Sequence, residues 1–297
     1  GSEAINAHFK TLTNVFDNPG EEAEKIILAQ GELLSTKLFS LYLQMHDIAC
    51  ALLPALDFMR LDEQGEPNLP SIGTTLQAQI AMQSDIPLFI TQGYICRDHS
   101  GQVSNLKRGG SDYTASLIGA AIKAYEVQIW TDIDGMHNND PRIVKKTFPI
   151  AELSFDEAAE LAYFGAKILH PSSIWPAQQH NIPVRLLNTM QPEAHGTLIN
   201  NVENKTGTIK AIAAKDGITA IKVKSTRMLL AYGFLRSVFE VFEKFKKPID
   251  MITTSEVAVS LTVDDTTYLR EVSAELSHFG KIVIDYDINH SNSLEMY

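Results

Sequence analysis

Leu106-Lys107-Arg108-Gly109-Gly110-Ser111-Asp112-Tyr113-Thr114 stands between a strand pattern and a helix pattern. Upstream, residues 86–95 (Ile-Pro-Leu-Phe-Ile-Thr-Gln-Gly-Tyr-Ile) read as a buried strand, with His99-Ser100-Gly101-Gln102 as a turn after it. Downstream, residues 113–124 read as a helix and residues 127–131 as a short apolar strand. Strand, glycine loop, helix and strand in that order argue for an α/β sandwich with a largely parallel sheet. The loop itself has the parts of an anion site. Two glycines let backbone approach a ligand without a Cβ in the way. Ser111 or Asp112 is expected to cap the helix, whose free N–H groups and positive dipole end favour a negative charge. Arg108 adds a planar fork for a carboxylate or phosphate. Taken alone, the loop reads equally well as a solvated turn with a basic flank.

Working outward, residues 23–34 and 36–43 carry apolar side chains at helical spacing, and residues 61–71 read as a loop. Asp132-Ile133-Asp134-Gly135 forms a turn after the strand at 127–131. Ser154-Phe155-Asp156-Glu157 is a capping box for a helix running to about residue 167, and residues 182–187 are another strand. The polar stretch 200–207 is the expected boundary between a front domain, 1–200, and a rear one, 207–288, with 289–297 as a tail. In the rear part, strands are expected at 208–214, 218–224, 250–254, 257–263 and 281–285, with helices at 233–245 and 267–279. That is a βαββαβ unit preceded by one extra strand.

The chain has 297 residues, 44% of them hydrophobic, and a net charge of −11. Such an acidic balance argues against nucleic acid or an anionic membrane surface as a partner. Cations for an anionic ligand must be local, and Lys107, Arg108, Arg142, Lys145, Lys146 and Lys167 are the supply. Cys50 and Cys96 match no metal spacing and read as reduced thiols of a cytoplasmic protein. No apolar run is long enough to span a membrane, and no metal cluster is visible.

Four motifs fall in one order along the front domain. Arg108-Gly109-Gly110-Ser111-Asp112-Tyr113-Thr114 is followed by Ile129-Trp130-Thr131-Asp132-Ile133-Asp134-Gly135 with Asp140-Pro141-Arg142. Then come Glu160-Leu161-Ala162-Tyr163-Phe164-Gly165-Ala166-Lys167-Ile168-Leu169-His170-Pro171 and Gly196-Thr197-Leu198. Together they resemble the aspartokinase family of amino-acid kinases. In the rear, Gly233-Phe234-Leu235 opening a helix and Met251-Ile252-Thr253-Thr254-Ser255-Glu256-Val257 resemble the ACT regulatory module of its monofunctional, lysine-sensitive branch. The resemblance implies an amino-acid-kinase α/β/α sandwich, short of its first strands, followed by a ferredoxin-like ACT domain.

It also implies roles. The reaction would move the γ-phosphoryl group of ATP to the β-carboxylate of L-aspartate. That carboxylate is already ionised near neutrality, so positioning and charge neutralisation suffice without a general base. By resemblance Arg108 holds the substrate α-carboxylate, Glu32 faces its α-amino group and Tyr94 lines the pocket. Gly109, Gly110 and Ser111 approach the substrate, and Asp112 orients a phosphate-binding lysine. Thr131, Asp132 and His137 meet the adenosine part of ATP, His137 standing where many relatives have a tyrosine. Arg142 and Lys167 contact the phosphates, and Mg²⁺ arrives with them, held by phosphate and water. In the rear module Met228, Gly233, Phe234, Leu235, Asp250, Thr254, Ser255 and Glu256 would form an effector site. L-lysine is the expected ligand, and a homodimer paired through the ACT sheets the expected assembly. The family opens with a strand and Lys-Phe-Gly-Gly-Thr-Ser, which has no counterpart here, so the chain is expected to begin inside the kinase domain, end within a tandem ACT pair and show little activity alone. Two rival readings remain: a catalytically inactive lysine sensor, and an amino-acid-kinase relative acting on glutamate or a nucleotide.

Overall fold

A computed structural model of the chain describes residues 2–17, 20, 22–106, 109–164, 169–202, 209–228 and 232–286. They fall into two compact units, 1–213 and 214–297.

The first unit opens with α1 (Ser2–Asp17) packed on α2 (Ala23–Met45). The two helices expected at 23–34 and 36–43 are one, because the Ser35 and Thr36 hydroxyls donate back to the Glu32 carbonyl and leave the backbone ladder unbroken. Next come β1 (Cys50–Leu52), α3 (Ala55–Phe58), α4 (Leu69–Ala81) and β2 (Leu88–Ile90), with β1 and β2 parallel. The region expected as a loop at 61–71 holds a Leu61–Pro67 bridge and the start of α4, where the Asn68 side chain accepts from Ser71 N–H. β3 (Ile95–Arg97) and β4 (Val103–Asn105) form a hairpin around the expected 99–102 turn, in which Asp98 Oδ1 accepts from Ser100 and Gln102 N–H.

After β4 come α5 (Gly110–Ile122), β5 (Val127–Thr131), β6 (Glu152–Ser154), α6 (Phe155–Phe164), α7 (Trp175–Gln179), β7 (Val184–Asn188) and β8 (Thr197–Asn200). Four of these strands make a sheet in the order β5-β7-β8-β6, in which β5–β7 and β6–β8 are parallel and β7–β8 antiparallel. The capping box is present in both directions: Glu157 N–H donates to Ser154 Oγ and Ser154 N–H to Glu157 Oε2. Helix α5 joins two cores. Leu117 and Ala121 pack with Phe58, Met59, Ile72 and Leu76, while Ala115 packs with Ile129, Leu153, Leu186 and Ile199.

One expectation fails here. The single buried strand at 86–95 is two short strands in different sheets, and Leu88 is 39% exposed. The break is at Tyr94, whose φ of 68° turns the chain out of extended geometry.

The second unit runs β9 (Thr219–Lys224), α8 (Phe234–Lys244), β10 (Ile252–Thr254), β11 (Ala258–Val263), α9 (Leu269–Leu276) and β12 (Lys281–Asp285). Its antiparallel sheet has the order β10-β11-β9-β12, the expected ferredoxin-like βαββαβ arrangement. Ile221 and Val223 are buried while Lys222 and Lys224 face out, so one sheet face packs on α8 and α9 through Val238, Phe242, Val272 and Leu276. The extra strand expected at 208–214 is absent over 209–214. Ile209 and Ile212 are 78% and 57% exposed, and the segment is held instead by contacts within the first unit, Ile212 N–H donating to the Asn138 carbonyl and the Lys210 ammonium pairing with the Glu157 carboxylate.

Candidate functional site

The glycine pair opens α5, and the two expected caps do not cap it. Gly109, at φ 81°, is the N-cap residue, and among the described residues no side chain accepts from the first turn. Ser111 and Asp112 lie inside that turn, and among the described residues no hydrogen-bond acceptor meets its leading N–H groups. A Cβ at Gly109 would lie 2.2 Å from Ser173 Oγ, and one at Gly110 would lie 3.3 Å from the Tyr94 ring. The loop is thus squeezed between a buried hydroxyl and an aromatic face, which only glycine permits.

Three further contacts assemble the region. Tyr94 N–H donates to Thr114 Oγ1, and Leu106 N–H donates to the Tyr94 carbonyl, so Tyr94 is tied to both ends of the loop. Gly93 lies against Ser111 so closely that a Cβ there would meet Ser111 Cβ at 2.6 Å. Beside it, buried Gln92 accepts from Ala55 N–H and donates to Thr36 Oγ1, one turn along α2 from Glu32. Thr36 Oγ1 donates in turn to the backbone carbonyl of half-buried Glu32, so Gln92 ties the backbone of α2 at this turn to Gly93, which lies against Ser111. Burial raises the Asp112 carboxyl above its ordinary range. Arg108 and Lys167, together with Lys107, lie outside the described residues.

Ser173 escaped the sequence reading. Its hydroxyl is buried against Gly109 and has no hydrogen-bond partner among the described residues. The only hint was its place just after Leu169-His170-Pro171. Thr114, whose hydroxyl accepts from Tyr94 and donates to the Gly110 carbonyl, was quoted in the motif without a role.

The second cluster stands at the end of β5. Thr131 Oγ1 accepts from Ile133 N–H and makes the turn. Asp132 is exposed, as is usual for a residue beyond a strand's C-terminal end, where α/β sheets present ligands. Asp134 is more than a turn former: its Oδ1 is 2.7 Å from His137 Nε2, while His137 Nδ1 is 2.9 Å from Thr147 Oγ1. His137 is therefore pinned edge-on between two partners. Arg142 is 72% exposed and forks onto Asp140 at 2.5 Å, which holds the Asp140 carboxyl below its ordinary range. Among the described residues no three acidic, histidine or cysteine side chains converge to hold a metal ion. Cys50 and Cys96 are buried, and burial pushes the Cys96 thiol up to about 12.

In the second unit, Met228, Phe234 and Leu235 pack against the core, and the Phe234 and Phe279 rings meet edge to face at 6.2 Å. Gly233, at φ 84°, caps α8. Thr254, Ser255 and Glu256 are exposed at the β10–β11 turn. The Asp250 side chain is 5% exposed and lies 3.6 Å from Lys215 Nζ, which also reaches Asp264 at 2.9 Å.

The amino acid kinase family pattern matches residues 4–188. The chain is 38% identical over 270 residues to the lysine-sensitive aspartokinase 3 of Escherichia coli K12, which covers 87% of this chain and 60% of that protein. The chain thus spans about 60% of the length of this curated relative. Two crystal structures of E. coli aspartokinase III superpose on it. One, in complex with lysine and aspartate in the T-state, has a TM-score of 0.80 at 32% identity and covers 96% of this chain and 67% of the other. The second, in complex with aspartate and ADP in the R-state, has a TM-score of 0.78 at 33% identity with the same coverage.

Proposed function

The chain belongs to the amino acid kinase family, and on that premise we propose that it serves an aspartokinase, transferring the γ-phosphoryl group of ATP to the β-carboxylate of L-aspartate. The observation that carries this reading is the start of α5. A helix N-terminus with no side-chain cap among the described residues, opened by two positive-φ glycines, faces a buried serine hydroxyl and lies beside Tyr94. Such a turn suits the carboxylates of an amino acid. Glu32 then meets the α-amino group and Arg108 the α-carboxylate. Thr131, Asp132 and the 134–142 segment take the nucleotide at the end of β5, with Arg142 and Lys167 on the phosphates. Arg142 must exchange Asp140 for phosphate, which its exposure permits. Since the described residues supply no chelating set, Mg²⁺ would ride on the phosphates and water and neutralise their charge. His137, held by Asp134 and Thr147, orders the nucleotide segment rather than stacking freely on a base.

The second unit would bind L-lysine and regulate the first, and pairing through its sheet would make a homodimer. An effector ammonium at Asp250 would share that carboxylate with Lys215. Calorimetry with L-aspartate, ADP and L-lysine tests the reading. Aspartate should bind, and Glu32→Gln should weaken it about tenfold, about 1.4 kcal/mol, with the melting temperature unchanged. Lysine binding without aspartate binding would instead establish an inactive sensor.

A further inference from the structure

Residues 209–213 close the first unit with a burial pattern that inverts their composition. Ile209 and Ile212 are exposed, while the Lys210 side chain is only 20% exposed. A segment that turns its isoleucines to solvent is not held by apolar burial. Polar contacts hold it instead. The Lys210 ammonium meets both carboxylate oxygens of Glu157, at 2.7 and 2.8 Å. Ile212 N–H donates to the Asn138 carbonyl at 2.9 Å.

Asn138 lies in the 134–142 segment, on one arm of a hairpin. His137 bridges Pro149 in antiparallel register, Ile150 N–H donates to the Met136 carbonyl and Asn138 N–H donates to the Phe148 carbonyl. In a regular antiparallel ladder Phe148 N–H would return to the Asn138 carbonyl. Here it donates to Asn138 Oδ1 at 3.1 Å. The side-chain amide stands in for its own backbone carbonyl, and that carbonyl turns to accept from Ile212. Asn138 thereby joins both arms of the hairpin to the 209–213 segment. The far anchor is equally fixed, because Glu157 belongs to the capping box that starts α6. The hairpin carries His137 on one arm and Asp140 and Arg142 near its tip.

We propose that residues 209–213 are a strap of the nucleotide site, with Lys210 and Asn138 as positioning residues for the hairpin that presents His137 and Arg142. The inference rests on the reading of the 131–142 region as the nucleotide segment and names what holds that segment in place. A hairpin closed by a few backbone bonds opens locally at small cost. Contacts that favour its closed form raise the fraction of molecules competent to bind, and so the apparent affinity.

Calorimetry with ADP and Mg²⁺, together with amide exchange on the whole chain, tests the strap. Lys210→Met keeps the aliphatic stem and removes the ammonium. It should weaken ADP about fivefold and speed exchange at Asn138, Phe148 and Ile212 by a similar factor. Lys210→Arg should restore both. Glu157→Gln is the second variant: glutamine still closes the capping box, so α6 stays capped while the strap loses its charged anchor. It should reproduce the loss seen with Lys210→Met. In the parent chain, ADP should slow exchange at Ile212, since coupling between hairpin and strap is reciprocal. A segment with a merely structural role would not respond. The proposal is overturned if both variants bind ADP as tightly as the parent, if exchange at Ile212 is indifferent to ADP, or if Lys210→Arg behaves as Lys210→Met does. A parent chain that binds no ADP would overturn the nucleotide reading itself and the strap with it, whereas ADP binding that the variants leave unchanged overturns the strap alone.

Discussion

Gly109 and Gly65 both sit in left-handed backbone, at φ 81° and 80°, but only Gly109 has a neighbour within 4 Å, Ser173. Forcing an alanine into that region costs about 1 kcal/mol. Gly65→Ala should therefore lose about 1 kcal/mol in urea denaturation. Gly109→Ala should lose about 1–3 kcal/mol more through its clash with the Ser173 hydroxyl. Equal losses would show that Ser173 yields at no cost and that the loop is not squeezed. Charge at this scale has a sign that pH can read. Burial raises Asp112, so the folded state holds that proton more tightly than the unfolded chain. Stability then declines as pH rises from about 3.8 through the folded value. Glu126 is the opposite case. Burial opposes its charge, but hydrogen bonds from Arg185 and Gln128 outweigh that and hold its carboxyl below the ordinary 4.5. Its contribution is present above that value and is lost as pH falls through the folded value. In stability–pH curves, Asp112→Asn should match or exceed the parent at neutral pH, whereas Glu126→Gln should fall below it there and converge with it in acid. The glycine loop was legible because glycine and proline report local backbone. Ser173 was not, because nothing local marks a serine that meets a loop far away in sequence.

Helix starts show how far local chemistry reaches. The Ser154–Glu157 box was legible since both of its bonds close within one turn, and it is present. Ser154→Ala should cost about 1 kcal/mol by removing the acceptor for Glu157 N–H, measured as a shift in the urea midpoint at constant slope. No change would mean that Lys210 alone orders Glu157. At α5 the same reasoning chose the wrong residue. Ser111 and Asp112 are ordinary caps by type, yet the left-handed Gly109 starts the helix earlier and draws them into the first turn. The strand expected at 86–95 failed for a related reason: periodicity cannot foresee that Tyr94 adopts a positive φ to give its N–H to Thr114.

At the scale of the molecule, each unit has its own core, the second built on Ile221, Val223, Val259, Leu261 and Phe242. Both tryptophans, Trp130 and Trp175, belong to the first. Fluorescence should therefore follow only the first unit during denaturation while far-ultraviolet circular dichroism follows both, and the two curves should not coincide. Coincident curves would show that the units unfold as one. By itself the sequence determined the types of most elements, the order of the four kinase motifs and the βαββαβ plan of the rear unit. These depend on periodicity, caps and glycine positions within a few residues of one another. Only the tertiary structure decided that the front strands divide into separate sheets, that Tyr94 and Ser173 close on the glycine pair, and that Asp250 lies beside Lys215. Those depend on hydrogen-bond partners and close approaches between residues distant in the chain, which local sequence pattern does not encode.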